Sequence, residues 1–187
     1  ITIEAFDVFV EAQADTAAFE LVEGVITMMT NPTETHEQIA GNIGAPLKLA
    51  MDKRGCRTYQ GGIRVQRSDD MRDTDKTRPD VVVRCGAGTA KTYITDPLVI
   101  VEVLSPSSAR PDFEGKRVLY QSLSALEVYI VASQDEPRIW IWQRSREANK
   151  AFAERPVELA DRTTMIELGH FGISFTLGDI YEHVFPA

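Results

Sequence analysis

The sequence predicts a mixed α/β fold (α+β) in which helices flank a central β-sheet. Its segments follow in the order helix, strand, strand, strand, helix, strand, which differs from the strict alternation of a Rossmann fold. In addition, the run from Leu98 to Leu104 within PLVIVEVLSPSS (residues 97–108) is apolar on both faces, as is typical of a central strand. Glu102 interrupts this run. A buried carboxylate is costly unless it is paired or binds a metal, so Glu102 is the first candidate functional residue.

The first predicted elements are a hairpin and a helix. Residues 19–29 (FELVEGVITMM) predict two short strands that turn at their Glu-Gly pair. Thr33 or Thr35 can then cap a helix that runs to about residue 53. Four apolar residues of this helix recur at helical spacing and predict one buried face. They are Ile39, Ile43, Leu47 and either Ala50 or Met51.

Strands dominate the middle of the chain. Residues 56–66 (CRTYQGGIRVQ) alternate like a single strand, and residues 68–77 (SDDMRDTDKT) predict a charged loop, the segment expected to be most flexible. Residues 79–85 (PDVVVRC) predict a β-branched strand. The segment 92–105 (TYITDPLVIVEVLS) contributes the central strand.

The last third of the chain returns to a helix and then to strands. Residues 111–123 (PDFEGKRVLYQSL) predict an amphipathic helix, and residues 127–132 and 138–144 predict two strands joined by a turn. Beyond them we expect a further hairpin or two, then a short helix or coil around residues 179–185. The inward positions expected on the helix are Phe113, Val118, Leu119 and Leu123.

Length and cysteine content suggest one soluble domain. The 187 residues favour a single domain with a sizeable core, and no apolar run is long enough to span a bilayer. The first residues lack the basic leader of a secretory signal. Cys56 and Cys85 have no metal-binding spacing, so we expect free thiols in a reducing cytoplasm.

The charge balance argues against one class of function. A net charge of −8 disfavours a protein that holds nucleic acid by bulk positive charge. It leaves a nuclease open, because a metal site concentrates carboxylates whose charge the bound cations offset.

Two carboxylates are candidates for such a site. Asp80 opens one strand and Glu102 lies on the next, so neighbouring strands would bring them together. Two close carboxylates repel each other unless a divalent cation or a shared proton intervenes. The alternative for Asp80 is a turn-capping role after proline. The position two residues after Glu102, where a nuclease of this plan would carry lysine, is Leu104.

A cation can instead come from the following helix. Asp112, Lys116 and Tyr120 are spaced four residues apart and therefore share one helix face. Lys116 could reach the carboxylate pair from above the sheet. The alternative is an exposed ion pair between Asp112 and Lys116.

The ordered set of these motifs resembles a known family. RPD, then IVEVLSPSS, then D-x-x-x-K-x-x-x-Y, then EVYIV are similar to the putative restriction endonuclease family of the PD-(D/E)xK nuclease superfamily. The resemblance extends over residues 19–142 and includes FELVEG and His36. It implies a restriction-endonuclease-like core at about 19–142, with a C-terminal extension at 143–187, within a single domain of residues 1–187.

The resemblance also implies roles for individual residues. Asp80 and Glu102 would bind Mg²⁺ (or Mn²⁺), the carbonyl of Val103 would be a third ligand, and Lys116 would replace the missing strand lysine in orienting the attacking water. Residues expected to line the site are Asp112, Tyr120, Glu20 and His36.

The function implied is a Mg²⁺-dependent endonuclease that acts on DNA, as a homodimer so that two strands can be cut. The alternative is a non-catalytic nuclease-fold module that binds nucleic acid or a protein, favoured by Leu104 and the acidic charge. Other motifs fail: HEQIA lacks the second zincin histidine, the serines of SPSS lack a nucleophile elbow, and CGAGTAKT lacks P-loop spacing. We therefore expect neither a nucleotide cofactor nor a membrane partner.

Overall fold

The structure, a computed structural model, describes residues 1–13, 18–104, 110–146, 151–168 and 171–185, with the backbone alone for 110–113. The SPSS serines of residues 105–108 and the expected inward side chain of Phe113 lie outside the described residues or side chains. The described helices are α1 (Ile3–Glu11), α2 (Glu34–Asp52), α3 (Arg110–Ser122) and α4 (Leu177–Ile180). The described strands are β1 (Phe19–Val22), β2 (Val25–Met28), β3 (Cys56–Gln60), β4 (Arg64–Gln66), β5 (Lys76–Thr77), β6 (Val81–Cys85), β7 (Tyr93–Ile94), β8 (Val99–Leu104), β9 (Val128–Ser133), β10 (Ile139–Gln143), β11 (Val157–Leu159), β12 (Met165–Leu168) and β13 (Ile173–Thr176).

A six-stranded mixed sheet forms the centre of the fold, in the order β11-β10-β9-β8-β6-β3. Strand β8 pairs in parallel with β9 and antiparallel with β6. Its residues Val99, Ile100 and Val101 are fully buried, because helices cover both faces of the sheet. The mixed fold class and the central position of the strand that contains Glu102 are therefore confirmed.

Helix α2 covers one face of this sheet. Thr33 is its N-cap, since the Thr33 side chain accepts a hydrogen bond from the backbone N–H of His36 at 3.1 Å. The hairpin of β12 and β13 and the short α4 add apolar side chains to the same face. The predicted inward residues Ile39, Ile43 and Leu47 of α2 are fully buried, and of the two alternatives for the fourth position Met51 is fully buried while Ala50 is half-buried.

Helix α3 covers the other face. Leu119, Tyr120 and Leu123 are buried against Ile100 and Tyr129 of the sheet.

The expected inward position of Val118 is wrong, because this side chain is 58% exposed. Successive helix residues are rotated by about 100°. The face through Lys116, Leu119 and Leu123 therefore turns Val118 toward solvent.

A second sheet, in the order β2-β1-β5-β4-β7, was not predicted. Residues 56–66, expected as one strand, divide into β3 in the first sheet and β4 in the second. The division occurs at Gly61 and Gly62, whose φ angles are 59° and 83°. Glycine adopts such positive φ angles readily, and they end the extended conformation of the strand. The segment 92–105 divides as well, because β7 pairs with β4 while β8 stays in the central sheet.

The second sheet is covered by α1. Ile3 and Phe6 of this helix pack on Phe19 and Leu21 of β1. The charged loop beside α1 is tied to it, since the backbone N–H of Ile3 donates to the carbonyl of Asp73 at 2.8 Å. None of the described helices combines the length and apolar character that crossing a membrane requires.

The expectation of free thiols is wrong. Cys56 and Cys85 form a disulfide, because the antiparallel register of β3 and β6 places them directly opposite each other. They are 29 residues apart in sequence, and no local pattern announces a pairing that depends on strand register.

Candidate functional site

Asp80 and Glu102 occupy neighbouring positions at the end of the β6–β8 pair. Val81 pairs with Val101, so the next position along this antiparallel pair places Asp80 opposite Glu102. The backbone N–H of Val103 donates a hydrogen bond to Asp80 Oδ2 at 2.7 Å. Strand register thus brings together the two carboxylates that the sequence proposed as partners.

Lys116 reaches this pair from α3. Its Nζ lies 2.7 Å from Glu20 Oε2 and 3.5 Å from Glu102 Oε1, with the lysine side chain only 11% exposed. The helix can approach β1 because residue 115 is glycine: a Cβ there would lie 3.0 Å from Val22 Cγ1. Lys116 is therefore a buried cation between two carboxylates.

Asp112, the predicted neighbour of Lys116 on this helix face, has a side chain outside the described part of the chain.

Tyr120 holds the Glu102 carboxyl from the same helix. Its hydroxyl donates to Glu102 Oε1 at 2.7 Å and lies 2.9 Å from Thr77 Oγ1 of the second sheet. The predicted spacing of Lys116 and Tyr120 therefore places both side chains on Glu102.

Glu20 links the hairpin to the site. Its Oε1 accepts a hydrogen bond from the backbone N–H of Arg78 at 2.5 Å, while Oε2 contacts Lys116. Both oxygens are engaged, and the side chain is buried. Glu20 therefore anchors the lysine and the start of the Arg78-Pro79-Asp80 segment at once.

His36, in the first turn of α2, faces Asp80. Its Nε2 lies 3.4 Å from Asp80 Oδ2. Burial opposes protonation of the imidazole, but the hydrogen bond and charge of Asp80, with the charges of Glu37 and Glu102, outweigh it and raise the pKa of His36. The imidazole is thus biased toward its charged form beside Asp80.

The pKa of Glu102 is raised to about 8. Burial is the largest cause, the charge of Lys116 opposes it, and the charges of Asp80 and Glu20 add to it. The hydrogen bond from Tyr120 acts in the lowering direction. A perturbation of this kind, by burial together with specific charges, is typical of functional sites.

A cleft opens the site to solvent on the Asp80 side. It has about 370 Å³ of open space. Glu37, Gln60 and Gly61 line it with Asp80 and were not identified from the sequence, because their proximity depends on how α2 packs against the turn after β3. Thr77 was missed for the same reason.

The donor set fits Mg²⁺ or Mn²⁺. Within the described residues, no three His, Cys, Asp or Glu side chains surround a common metal position. Mg²⁺, however, usually keeps several waters and takes only one or two protein carboxylates. Asp80 and Glu102 supply such oxygens, while Glu20 and Glu102 contact the ammonium of Lys116 and Asp80 contacts His36. The carbonyl of Val103 as a third ligand stays a prediction.

Leu104 lies on the same strand face as Glu102 and packs against the apolar cluster beneath α3. It carries no charge toward the site. The structure thus places the ammonium of Lys116, from the helix, beside the carboxylate that the strand provides.

Comparison with known proteins identifies the family. A family model described as "Uma2: Putative restriction endonuclease" matches residues 4–178. This chain belongs to the putative restriction endonuclease family. An uncharacterized protein of Synechocystis sp. is 27% identical over 165 residues, which cover 87% of this chain and 83% of that protein.

The fold of this family member also matches a solved structure. A putative nuclease belonging to DUF820 from Anabaena variabilis superposes with a TM-score of 0.74, over 99% of both chains, at 17% sequence identity. This likeness confirms the restriction-endonuclease-like fold class. The division into a core at 19–142 and an extension at 143–187 stays a prediction.

Proposed function

We propose that this protein is a Mg²⁺- or Mn²⁺-dependent endonuclease that hydrolyses phosphodiester bonds of DNA. One observation carries the proposal: Asp80, which lines a cleft, lies opposite Glu102 on the neighbouring strand, with the buried ammonium of Lys116 at 3.5 Å from Glu102. Membership of the putative restriction endonuclease family supports it.

The chain's own residues divide the work. Asp80 and Glu102 would hold the metal, which would neutralise developing charge and lower the pKa of a bound water. Lys116, held by Glu20, supplies a fixed positive charge where negative charge accumulates on the reacting phosphate, or orients the attacking water. Tyr120 fixes the orientation of the Glu102 carboxyl.

The proposal includes a homodimer, since cleavage of both strands of a duplex requires two such sites. Sedimentation at several protein concentrations tests this directly. It also includes a cytoplasmic location, against which the Cys56–Cys85 disulfide counts, because disulfides rarely persist in a reducing cytoplasm. Cell fractionation tests the location directly.

Cleavage assays test the activity itself. Supercoiled plasmid and single-stranded DNA are incubated with Mg²⁺ or Mn²⁺ and wild type, Asp80→Ala or Lys116→Ala. We expect both variants to lose about 10²- to 10³-fold in rate, because each loses a group that stabilises charge in the transition state. Lys48→Ala is the matched control, since Lys48 forms an exposed pair with Asp52 on α2.

Two outcomes count against the proposal. Equal cleavage by wild type and both variants would mean that these residues are not the catalytic ones. Absence of cleavage with either metal would favour the non-catalytic module that binds nucleic acid or a protein.

A further inference from the structure

Two arginines lie opposite each other at the end of the β4–β5 pair. Val65 pairs with Thr77, so the next position along this antiparallel pair places Arg64 opposite Arg78. Residues directly opposite in such a pair share a sheet face with Cβ atoms about 4.5–5.5 Å apart, and like charges there are destabilising. The arrangement therefore requires a source of compensating negative charge.

The described residues do not supply that charge as an ion pair to either guanidinium. Arg64 lies over the ring of Phe6 at 5.7 Å, and its Nε is buried without a hydrogen-bond partner among the described atoms. Burial lowers the pKa of Arg64, Arg78 lowers it further, and the charges of Asp7 and Glu20 act against both.

The two carboxylates that act on Arg64 are already engaged. Both oxygens of Asp7 accept hydrogen bonds from Lys76 Nζ, at 2.9 and 2.8 Å. Glu20 binds Lys116 and the backbone N–H of Arg78. The two carboxylates near Arg64 thus direct their hydrogen bonds to lysine ammonium groups and to a backbone N–H, and not to either guanidinium.

The pair also adjoins the cleft. A Cβ on Gly62 would lie 3.8 Å from Arg78 Nη2, so this guanidinium sits beside the turn after β3. Gly61, the other glycine of that turn, lines the cleft and donates its N–H to the carbonyl of Asp80 at 2.9 Å. A continuous surface therefore leads from Arg78 past two glycines to Asp80.

We propose that Arg64 and Arg78 bind a backbone phosphate of the DNA strand, adjacent to the phosphate that would be cleaved at the proposed metal site of Asp80 and Glu102. This inference rests on the proposed function for the identity of its ligand. Guanidinium groups match phosphate oxygens with paired hydrogen bonds, and a phosphate between two arginines removes their repulsion. The subsite provides a local positively charged site for DNA on a protein whose net charge is −8.

The salt dependence of binding tests this subsite. A labelled DNA duplex is titrated by fluorescence anisotropy at several salt concentrations, with Ca²⁺ in place of Mg²⁺. For Arg64→Gln/Arg78→Gln we expect affinity to fall about tenfold or more, as charge-assisted hydrogen bonds are lost. We expect the slope of log affinity against log salt to decrease by about 0.9, the value for one phosphate contact.

Matched variants separate this role from general effects. Arg155→Gln removes the same charge from an exposed position before β11 and should keep the wild-type slope. Arg64→Lys/Arg78→Lys should retain most of the slope, because it keeps both charges. Replacing Arg64 removes its contact with Phe6 and could impair folding, which near-UV circular dichroism detects. In that event the single variant Arg78→Gln, which keeps this contact, tests the subsite.

The outcomes for subsite and activity are distinct. The subsite is overturned if the salt-dependence slope of Arg78→Gln and of the double glutamine variant equals that of wild type. It is also overturned if wild type does not bind the duplex. Cleavage with an unchanged slope would reject the subsite and leave the proposed function intact. A reduced slope without any cleavage would reject the catalysis and leave the subsite.

Discussion

Glu102 keeps its proton to a higher pH than an ordinary carboxyl because it is buried beside two other carboxylates. Its pKa of about 8 in the folded protein compares with 4.5 for an exposed glutamate. Between these values the unfolded chain has released the proton and the folded chain still holds it. Linkage then requires the free energy of unfolding to fall as pH rises through this window.

The difference in free energy of unfolding between wild type and Glu102→Gln, followed against pH, isolates the contribution of Glu102. In metal-free buffer we expect wild type to lose stability relative to the variant as pH rises from about 4.5 to about 8, and the difference to level off above pH 8. Urea unfolding at a series of pH values measures it. Parallel curves for the two proteins would contradict a raised Glu102 pKa.

The site residues differ in how visible they were in the sequence. Asp80, Glu102, Lys116 and Tyr120 were recognisable because two strands and one helix face supply them at regular spacings. Arg64 was not, because its importance arises from a cross-strand partner fourteen residues away. Spacing along one element is a local property, whereas a neighbour across a sheet depends on register.

Among the elements, pairing of β3 with β6 depends on both hydrogen bonds and a covalent link. Cys56 and Cys85 close a loop with a sequence separation of 29 residues. Restricting the unfolded chain by a loop of this length is worth roughly 3–4 kcal/mol in the chain-entropy model. The disulfide is therefore a substantial part of the stability expected for a domain of this size.

Reduction tests the contribution of this disulfide. We expect a reductant to lower the free energy of unfolding of wild type by roughly 3 kcal/mol. The urea midpoint, with and without reductant, measures the change. Cys56→Ser/Cys85→Ser is the control and should be insensitive to reductant. Quantitative thiol labelling of the native, unreduced protein would show that the bond is absent.

The elements with a clear apolar pattern were predictable, whereas helix α1 and the two-residue strands were not. Helix α2 and strands β6, β8, β9 and β10 carry periodic or continuous apolar patterns that identify them. Strands β5 and β7 have two residues each, too few to show any period. These residues are strands only because they pair with strands that are distant in sequence. The second sheet was therefore not predicted.

At the scale of the whole molecule, the site forms where the two sheets meet. Glu20 and Thr77 come from the second sheet, Asp80 and Glu102 from the central one, and α3 lies between them with Lys116. Sequence motifs could suggest the participants. The distances among them depend on how closely the layers pack, which no local pattern encodes.

Gly115 gives this packing a consequence for protein engineering. A routine stabilising change, Gly→Ala within a helix, gains about 0.5–1 kcal/mol from backbone entropy. At position 115 the new methyl would meet Val22 Cγ1 at 3.0 Å and push α3 away from β1, lengthening the contact of Lys116 with Glu20. At residue 115 we therefore expect a gain in thermostability to oppose the proposed catalysis.

The two effects can be measured separately in Gly115→Ala. We expect its cleavage rate to fall severalfold while its melting temperature changes little. Gly41→Ala in α2, where a Cβ meets no atom within 4 Å, should show the full gain in melting temperature. An unchanged cleavage rate in Gly115→Ala would mean that α3 accommodates the added methyl group without displacing Lys116. Alanine at position 115 could then raise thermostability without a loss of cleavage.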